Sequence, residues 1–262
     1  MQMTIEQLEA DVHSLMLDFD SPVGLVIKEG NDTININEDV PMPAASVIKI
    51  PIMMEAFRQA ENGLLDLSQN MEIPTDAIVG GSGVLQFLSE RVSMSLLDFL
   101  TLMIIVSDNT ASNLALEQTG IENVNNLCRD LECHHTEVQR YFMDMKAAES
   151  GFENTTTAGD MVKFLEEIAS PKLLTKKSAG HIFDIMTGQQ LTSKLPAYHT
   201  ANDVVIANKT GELAIAQHDV GIFKYQDKTV LAAVMTDRIT DHIAIQQTIA
   251  RIGKAIMSYL TK

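Results

Sequence analysis

Hydrophobic positions along the chain follow two periods. Near the N-terminus Ile5, Leu8, Val12 and Leu15 recur every three or four residues, which predicts an amphipathic helix. Two strand-like segments follow, residues 22–29 and residues 32–38, where Ile34 and Ile36 alternate with polar positions. Between them Glu29-Gly30-Asn31-Asp32 has turn chemistry, so the pair reads as a hairpin. From about Ser46 to about Tyr198 the period is mostly helical, with a strongly apolar helix opening at Ser95 and further helices over 110–118, 160–169 and 178–187. Strand patterns return over 204–209, 217–225 and 229–236. A last helix over 241–260 carries Ile245, Ile249, Ile252 and Ile256 near one stripe.

The layout is helix, two strands, a long helical stretch, three strands, helix. It predicts an α+β fold: a five-stranded antiparallel sheet built from both chain ends and covered by the terminal helices, beside a large all-helical lobe. The expected division is a discontinuous α/β lobe, 1–45 with 200–262, and a helical lobe, 46–199. A cleft between lobes is the default place for a site.

Composition narrows the function. In 262 residues, 19 Lys and Arg face 35 Asp and Glu, a net charge of −16. Such a surface opposes general nucleic-acid binding and anionic membranes. The N-terminal residues form neither a basic leader nor a continuous apolar stretch, and the apolar run 99–106 is too short to span a bilayer. The expectation is a cytoplasmic monomer or dimer acting on a small molecule, with no nucleic acid or membrane as partner. Cys128 and Cys133 are too few for a disulfide framework; Cys133-His134-His135 invites a zinc reading, but no second ligand pair accompanies it. No metal and no cofactor are expected.

Three short patterns carry chemistry. Ser46-Val47-Ile48-Lys49 puts a hydroxyl and an amine on one helical face. A partly desolvated lysine with a lowered pKa can take the serine proton. Pro51, inside that helix, predicts a kink or loosened turn. Ser107-Asp108-Asn109 lies at a helix junction, and Lys209-Thr210-Gly211 at the end of the 204–209 strand. Taken singly, these also read as a helix start, an N-cap and a lysine-guarded strand edge with a turn glycine.

Their order is more specific. Ser-x-x-Lys, then Ser-Asp-Asn, then Lys-Thr-Gly is the signature of serine β-lactamases and penicillin-binding proteins, and the chain resembles the class A β-lactamase family over nearly its whole length. It is also similar to a broader group of class A-like serine hydrolases through Lys209-Thr210-Gly211-Glu212-Leu213 and His218-Asp219-Val220-Gly221. The resemblance implies that Ser46 forms an acyl-enzyme and Lys49 helps to deprotonate it. Ser107 and Lys209 would pass the proton to the leaving atom, Asn109 would hold the acyl side chain, and Thr210 would meet a substrate carboxylate. The backbone N–H groups of Ser46 and Glu212, beside Gly211, would form the oxyanion hole.

The match breaks in two places. The Ω-loop has a counterpart between Arg140 and Asn154, but the Glu-Pro-Glu-Leu-Asn segment that supplies the deacylation base is missing, and Phe142 falls where the glutamate should be. Asp144, Glu149 and Glu153 read either as substitute bases or as solvated loop acids, Asp144 being nearest to the usual place. The carboxylate-binding arginine is also missing: Val220 falls near its position, with His218 on the same strand face as a polar contact or as a structural hydrogen bond. Gly80-Gly81-Ser82-Gly83 lacks a P-loop ending and reads as one wall of the cleft. The implied reaction is β-lactam hydrolysis through an acyl-enzyme. The alternatives are a D-alanyl peptidase or esterase with slow β-lactam turnover, and a penicillin-binding sensor that is acylated once. For an enzyme inside the cell, a cell-wall fragment or metabolic ester is the more natural substrate.

Overall fold

The computed structural model describes residues 3–19, 21–89, 92–200 and 203–261. A Thr4–Gln7 capping box opens helix α1 (Ile5–Met16), and strands β1 (Val23–Glu29) and β2 (Asp32–Ile36) form the hairpin. The short strand β3 (Met42–Pro43) leads into a 3-10 turn, Ala45–Ile48, and helix α2 (Lys49–Glu61). Strands β4 (Asn70–Glu72) and β5 (Ser93–Ser95) pair with each other. Helices α3 (Leu96–Ile105), α4 (Asn109–Thr119), α5 (Ile121–Asp130) and the five-residue α6 (Met145–Glu149) follow. Strand β6 (Thr155–Thr156) pairs back to β3. After α7 (Ala158–Ala169) and α8 (Lys176–Thr187), the chain closes with β7 (Val205–Leu213), β8 (Ala216–Tyr225), β9 (Lys228–Thr236) and α9 (His242–Thr261).

The main sheet has the order β2-β1-β9-β8-β7, antiparallel throughout, and β1 joins the C-terminal strands by pairing with β9 from Val23↔Thr236 to Lys28↔Leu231. This is the five-stranded α+β fold expected from the pattern. Alternation along β1 explains its uninterrupted apolar run. Val26 packs into a core with the helices, among them Ile50, Phe99 and Phe164. Leu25 and Ile27 pack on the other face with Leu8 and Val12 of α1 and Ile249 and Ile256 of α9. A strand buried on both faces has no polar positions to show.

Two local expectations are corrected. Strand β7 does not end at Lys209; it runs through the Lys-Thr-Gly segment to Leu213, and Gly211 is an in-strand partner of His218 rather than a turn residue. The glycine is required by close packing: a Cβ there would stand 3.1 Å from Ala45 Cβ and 3.0 Å from the His218 ring. Pro51 does not sit in a helix interior either. It lies in the first turn of α2, and the 3-10 turn just before it takes the place of a kink.

Candidate active site

Ser46 lies in the 3-10 turn that feeds α2. Its approach is tethered on one side, where Ala44 N–H donates to Asn154 O at 2.7 Å, and Ala45 adopts φ +47°, the left-handed region that an L-residue enters only under constraint. Among the described residues, no hydrogen bond is made by the Ser46 hydroxyl or by its N–H, and the residue is half-buried. Lys49, one turn on, is completely buried. Its ammonium donates to Ser107 O at 2.7 Å, Ser107 Oγ at 3.1 Å and Asn109 Oδ1 at 3.0 Å. All three partners belong to the Ser-Asp-Asn segment, so Lys49 is bonded there and not to Ser46. Burial, then the charge of Lys209, pushes the Lys49 pKa well below that of an ordinary lysine.

Ser107 holds the centre. It is itself left-handed, at φ +57°, and its Oγ receives both Lys49 Nζ and, at 3.0 Å, Lys209 Nζ. A hydroxyl held between two amines is placed to relay a proton from one to the other. Asp108 fixes this geometry. One carboxylate oxygen caps α4 through Ala111 N–H at 2.9 Å, and the other accepts from Val84 N–H at 2.6 Å and Leu85 N–H at 2.8 Å. The glycine-rich loop is thereby bound to the motif, because Asn109 also donates through Nδ2 to Gly80 O at 3.1 Å and through its backbone to Ser82 O at 3.0 Å. At Gly83, φ +110°, a Cβ would fall 2.2 Å from Asp108 Oδ2, which accounts for the residue.

Strand β7 forms the opposite side. Lys209 is fully buried, and that burial brings its pKa down to about 7. Besides Ser107 it donates to Thr210 O at 2.7 Å. The Asn208 carbonyl receives Gln189 Nε2 at 3.2 Å. These carbonyls point off the sheet edge; residues two apart on a strand share orientation, so the Glu212 N–H points the same way while the Glu212 side chain is exposed. Thr210 is almost buried.

His218 is not a ligand contact. It is fully buried, its Nε2 donates to Pro43 O at 2.8 Å, and its Nδ1 accepts Thr236 N–H at 3.2 Å. Burial lowers its pKa to about 4, so the ring is neutral. Val220, on the same face, is completely buried in the core. Lys194, which the sequence pattern does not single out, is buried behind the strand, with Nζ 2.9 Å from Gly211 O and 3.1 Å from His218 O. Asp219 next to it accepts Leu195 N–H and Asn208 Nδ2, each at 2.9 Å.

The 140–154 segment is closed at its ends by Arg140, whose Nη2 reaches both Glu153 oxygens at 2.8 and 3.0 Å. At its centre the Phe142 backbone is clamped to Asn113, N–H to Oδ1 at 2.8 Å and Nδ2 to O at 3.0 Å. The Phe142 ring centroid then lies 4.6 Å from Lys49 Nζ. Asp144, the nearest substitute for the missing base, is engaged as a helix cap. Its Oδ1 accepts Ala147 N–H at 3.0 Å as the N-cap of α6. Glu153 is held by Arg140, and Glu149 is exposed at the end of α6. None of these three carboxylates is hydrogen-bonded to Ser46, Lys49 or Ser107. Cys128 and Cys133 are buried in the core, with burial raising both thiol pKa values. Among the described residues no group of three metal-ligating side chains assembles, and no helix is long and apolar enough to cross a membrane.

Known proteins share this architecture. A β-lactamase from Sphaerobacter thermophilus superposes with a TM-score of 0.90 at 26% identity over 97% of each chain. The protein PBP-A superposes with a TM-score of 0.85 at 25% identity over 97% of this chain and 95% of its own. A β-lactamase regulatory protein, BlaB, of Streptomyces cacaoi is 26% identical over 253 residues, 79% of this chain and 80% of its own length. Residues 7–260 match the model of the β-lactamase enzyme family, and with the serine, lysines and fold assembled as above, the chain belongs to that family of penicillin-recognising serine enzymes.

Proposed function

We propose that the protein is a serine hydrolase of class A type that acylates Ser46 readily and releases the acyl group slowly. In the first step neutral Lys49 takes the Ser46 proton, Ser46 Oγ bonds to the carbonyl carbon of an amide or ester, and the oxyanion is met by the N–H groups of Ser46 and Glu212. The proton then passes through Ser107, with Lys209 beside it, to the departing nitrogen or oxygen as the carbon–heteroatom bond breaks. The Asn109 amide and Thr210 flank this path. Release needs a water and a base, and one observation argues that both are deficient: the Phe142 ring occupies the space beside Lys49 where the family places its carboxylate.

The cleft walls suggest the acyl group. Of 17 exposed large hydrophobic side chains among the described residues, eight lie in the two flanking loops: Ile78, Val84, Phe87, Leu88, Tyr141, Met143, Met145 and Phe152. That concentration of exposed apolar side chains in the two loops favours an apolar acyl chain over a sugar.

The test is covalent labelling with a fluorescent penicillin followed by release. Labelling of the parent and none of Ser46→Ala, with an adduct stable for hours, is the expected result. Rapid turnover of a chromogenic cephalosporin would make it a β-lactamase in the full sense, and no labelling would leave the esterase reading. A sensor role is the second reading, favoured by the likeness to a β-lactamase regulatory protein; an adduct that never turns over any ester or D-alanyl peptide would support it.

A further inference from the structure

We propose that His218 and Lys194 are positioning residues that hold the two oxyanion N–H groups at their working separation. The inference rests on the reading of Ser46 as the nucleophile, and it concerns how two segments far apart in sequence are tied together.

The turn Ala45–Ile48 begins from Ala44, so the Ser46 N–H is one of its leading donors and has no acceptor within the turn. Its first bond is Val47 N–H to Ala44 O at 3.3 Å, and the Pro43 carbonyl just before it is anchored by His218 Nε2 at 2.8 Å. His218 therefore fixes the backbone that leads into the turn of Ser46, three residues before the nucleophile. The same residue is the rung partner of Gly211, the neighbour of Glu212. Lys194 places one ammonium across both carbonyls of that Gly211–His218 rung, at 2.9 and 3.1 Å. The contact path runs from Lys194 to the rung, through the imidazole to Pro43, and on to the turn of Ser46. Ala45 Cβ against the Gly211 backbone closes the path sterically.

His218 and Lys194 are buried polar groups in an apolar setting, where each must be satisfied or its burial is costly. Apolar residues could fill the volume, but they could not anchor the Pro43 carbonyl to the Gly211–His218 rung. The neutral imidazole keeps its single N–H on Nε2, because Nδ1 accepts from Thr236.

The experiment compares His218→Leu, which removes the donor, with His218→Gln, which restores an N–H near Nε2, and pairs them with Lys194→Met and Lys194→Arg. Each is measured for thermal midpoint, for the acylation rate separated from substrate affinity, and for affinity toward a simple arylboronic acid whose adduct on Ser46 places an oxygen in the hole. Loss of one oxyanion donor costs about a hundredfold or more, so a displaced donor is expected to cost about tenfold to a hundredfold in acylation rate and boronate affinity together. Substrate affinity should change little, with substantial recovery in His218→Gln and Lys194→Arg. A folded His218→Leu that acylates and binds boronate like the parent overturns the proposal. So does a loss that tracks thermal stability alone and is not recovered by the conservative variants. If His218→Leu does not fold, the Lys194 pair decides by the same two criteria. A parent that is never acylated at Ser46 refutes the underlying functional reading instead, which separates the two failures.

Discussion

The ring of Phe142 lies 4.6 Å from the ammonium nitrogen of Lys49 and covers it. A ring face attracts the charged lysine by about 1 kcal/mol, up to about 2 when desolvated, which would raise the pKa by about one unit. Complete burial acts the other way by up to about 3–5 units. Burial wins, and Lys49 is held well below the usual lysine range. The ring thus shields the amine without abolishing its capacity as a base.

Phe142→Glu is the direct consequence. It places a carboxylate beside Lys49 on a backbone already clamped by Asn113. General-base catalysis contributes about 10²–10⁴-fold, so release of a preformed penicilloyl adduct, followed by mass spectrometry, is expected to accelerate at least about tenfold. Phe142→Ala should admit water without supplying a base and gain much less. An unchanged adduct lifetime in Phe142→Glu would show that the ring is not what limits release.

Asp144 separates capping from catalysis. Asn caps helices about as well as Asp, so Asp144→Asn is expected to leave both stability and adduct release within about twofold of the parent, judged by the N-cap equivalence. Asp144→Ala should cost about 1 kcal/mol in urea unfolding while still leaving release unchanged. A large fall in release in Asp144→Asn would restore the carboxylate as a base.

The three motifs are legible because each is contiguous in sequence, and the sheet because helical and alternating periods divide the chain cleanly. What stays hidden depends on contacts between distant residues. Lys194 lies in an aperiodic loop, and Asn113 is one polar residue on a helix; only the tertiary fold brings them to Gly211 and Phe142. One signal is available: His218-Asp219 interrupts a strand buried on both faces, and buried polar groups require partners. The pattern ends β7 too early because glycine reads as a breaker, whereas Gly211 serves close packing. Asp144 is nearest in sequence to the missing base, yet a helix begins one residue later and takes its carboxylate.

Gly83 and Gly63 form a controlled pair. Both are left-handed, at φ +110° and +69°, but a Cβ on Gly63 meets nothing within 4 Å, while one on Gly83 would collide with Asp108. Gly63→Ala isolates the backbone cost, about 1–2 kcal/mol. Gly83→Ala should exceed it by about 1 kcal/mol or more, because the Cβ would also stand 2.4 Å from Asp108 Cα, so the backbone must shift and the carboxylate must leave the Val84 and Leu85 N–H groups. It should also slow Ser46 acylation, since Asp108 sets Ser107 and Asn109. Equal costs in chemical denaturation, with acylation intact, would remove Asp108 from this role.

The buried lysines give stability a pH dependence of definite sign. Lys209 titrates near 7 in the folded protein, against 10.5 for an ordinary lysine. Between those values the unfolded chain carries the extra proton, so stability rises with pH through that window. The contribution is complete above about 10.5 and lost as pH falls toward 7. Lys49 and Lys194, both lowered by burial, act in the same direction. Urea unfolding at a series of pH values from about 7 to about 8.5, below the range where the two buried thiols act in the opposite direction, should therefore show a rising free energy, and Lys209→Met should reduce the slope without abolishing it, because the other two lysines remain. A flat profile in the parent would mean that Lys209 keeps its proton in the fold, held by Ser107 and Thr210. The relay through Ser107 would then have to begin with both ammonium groups charged, which leaves no amine to accept the Ser46 proton.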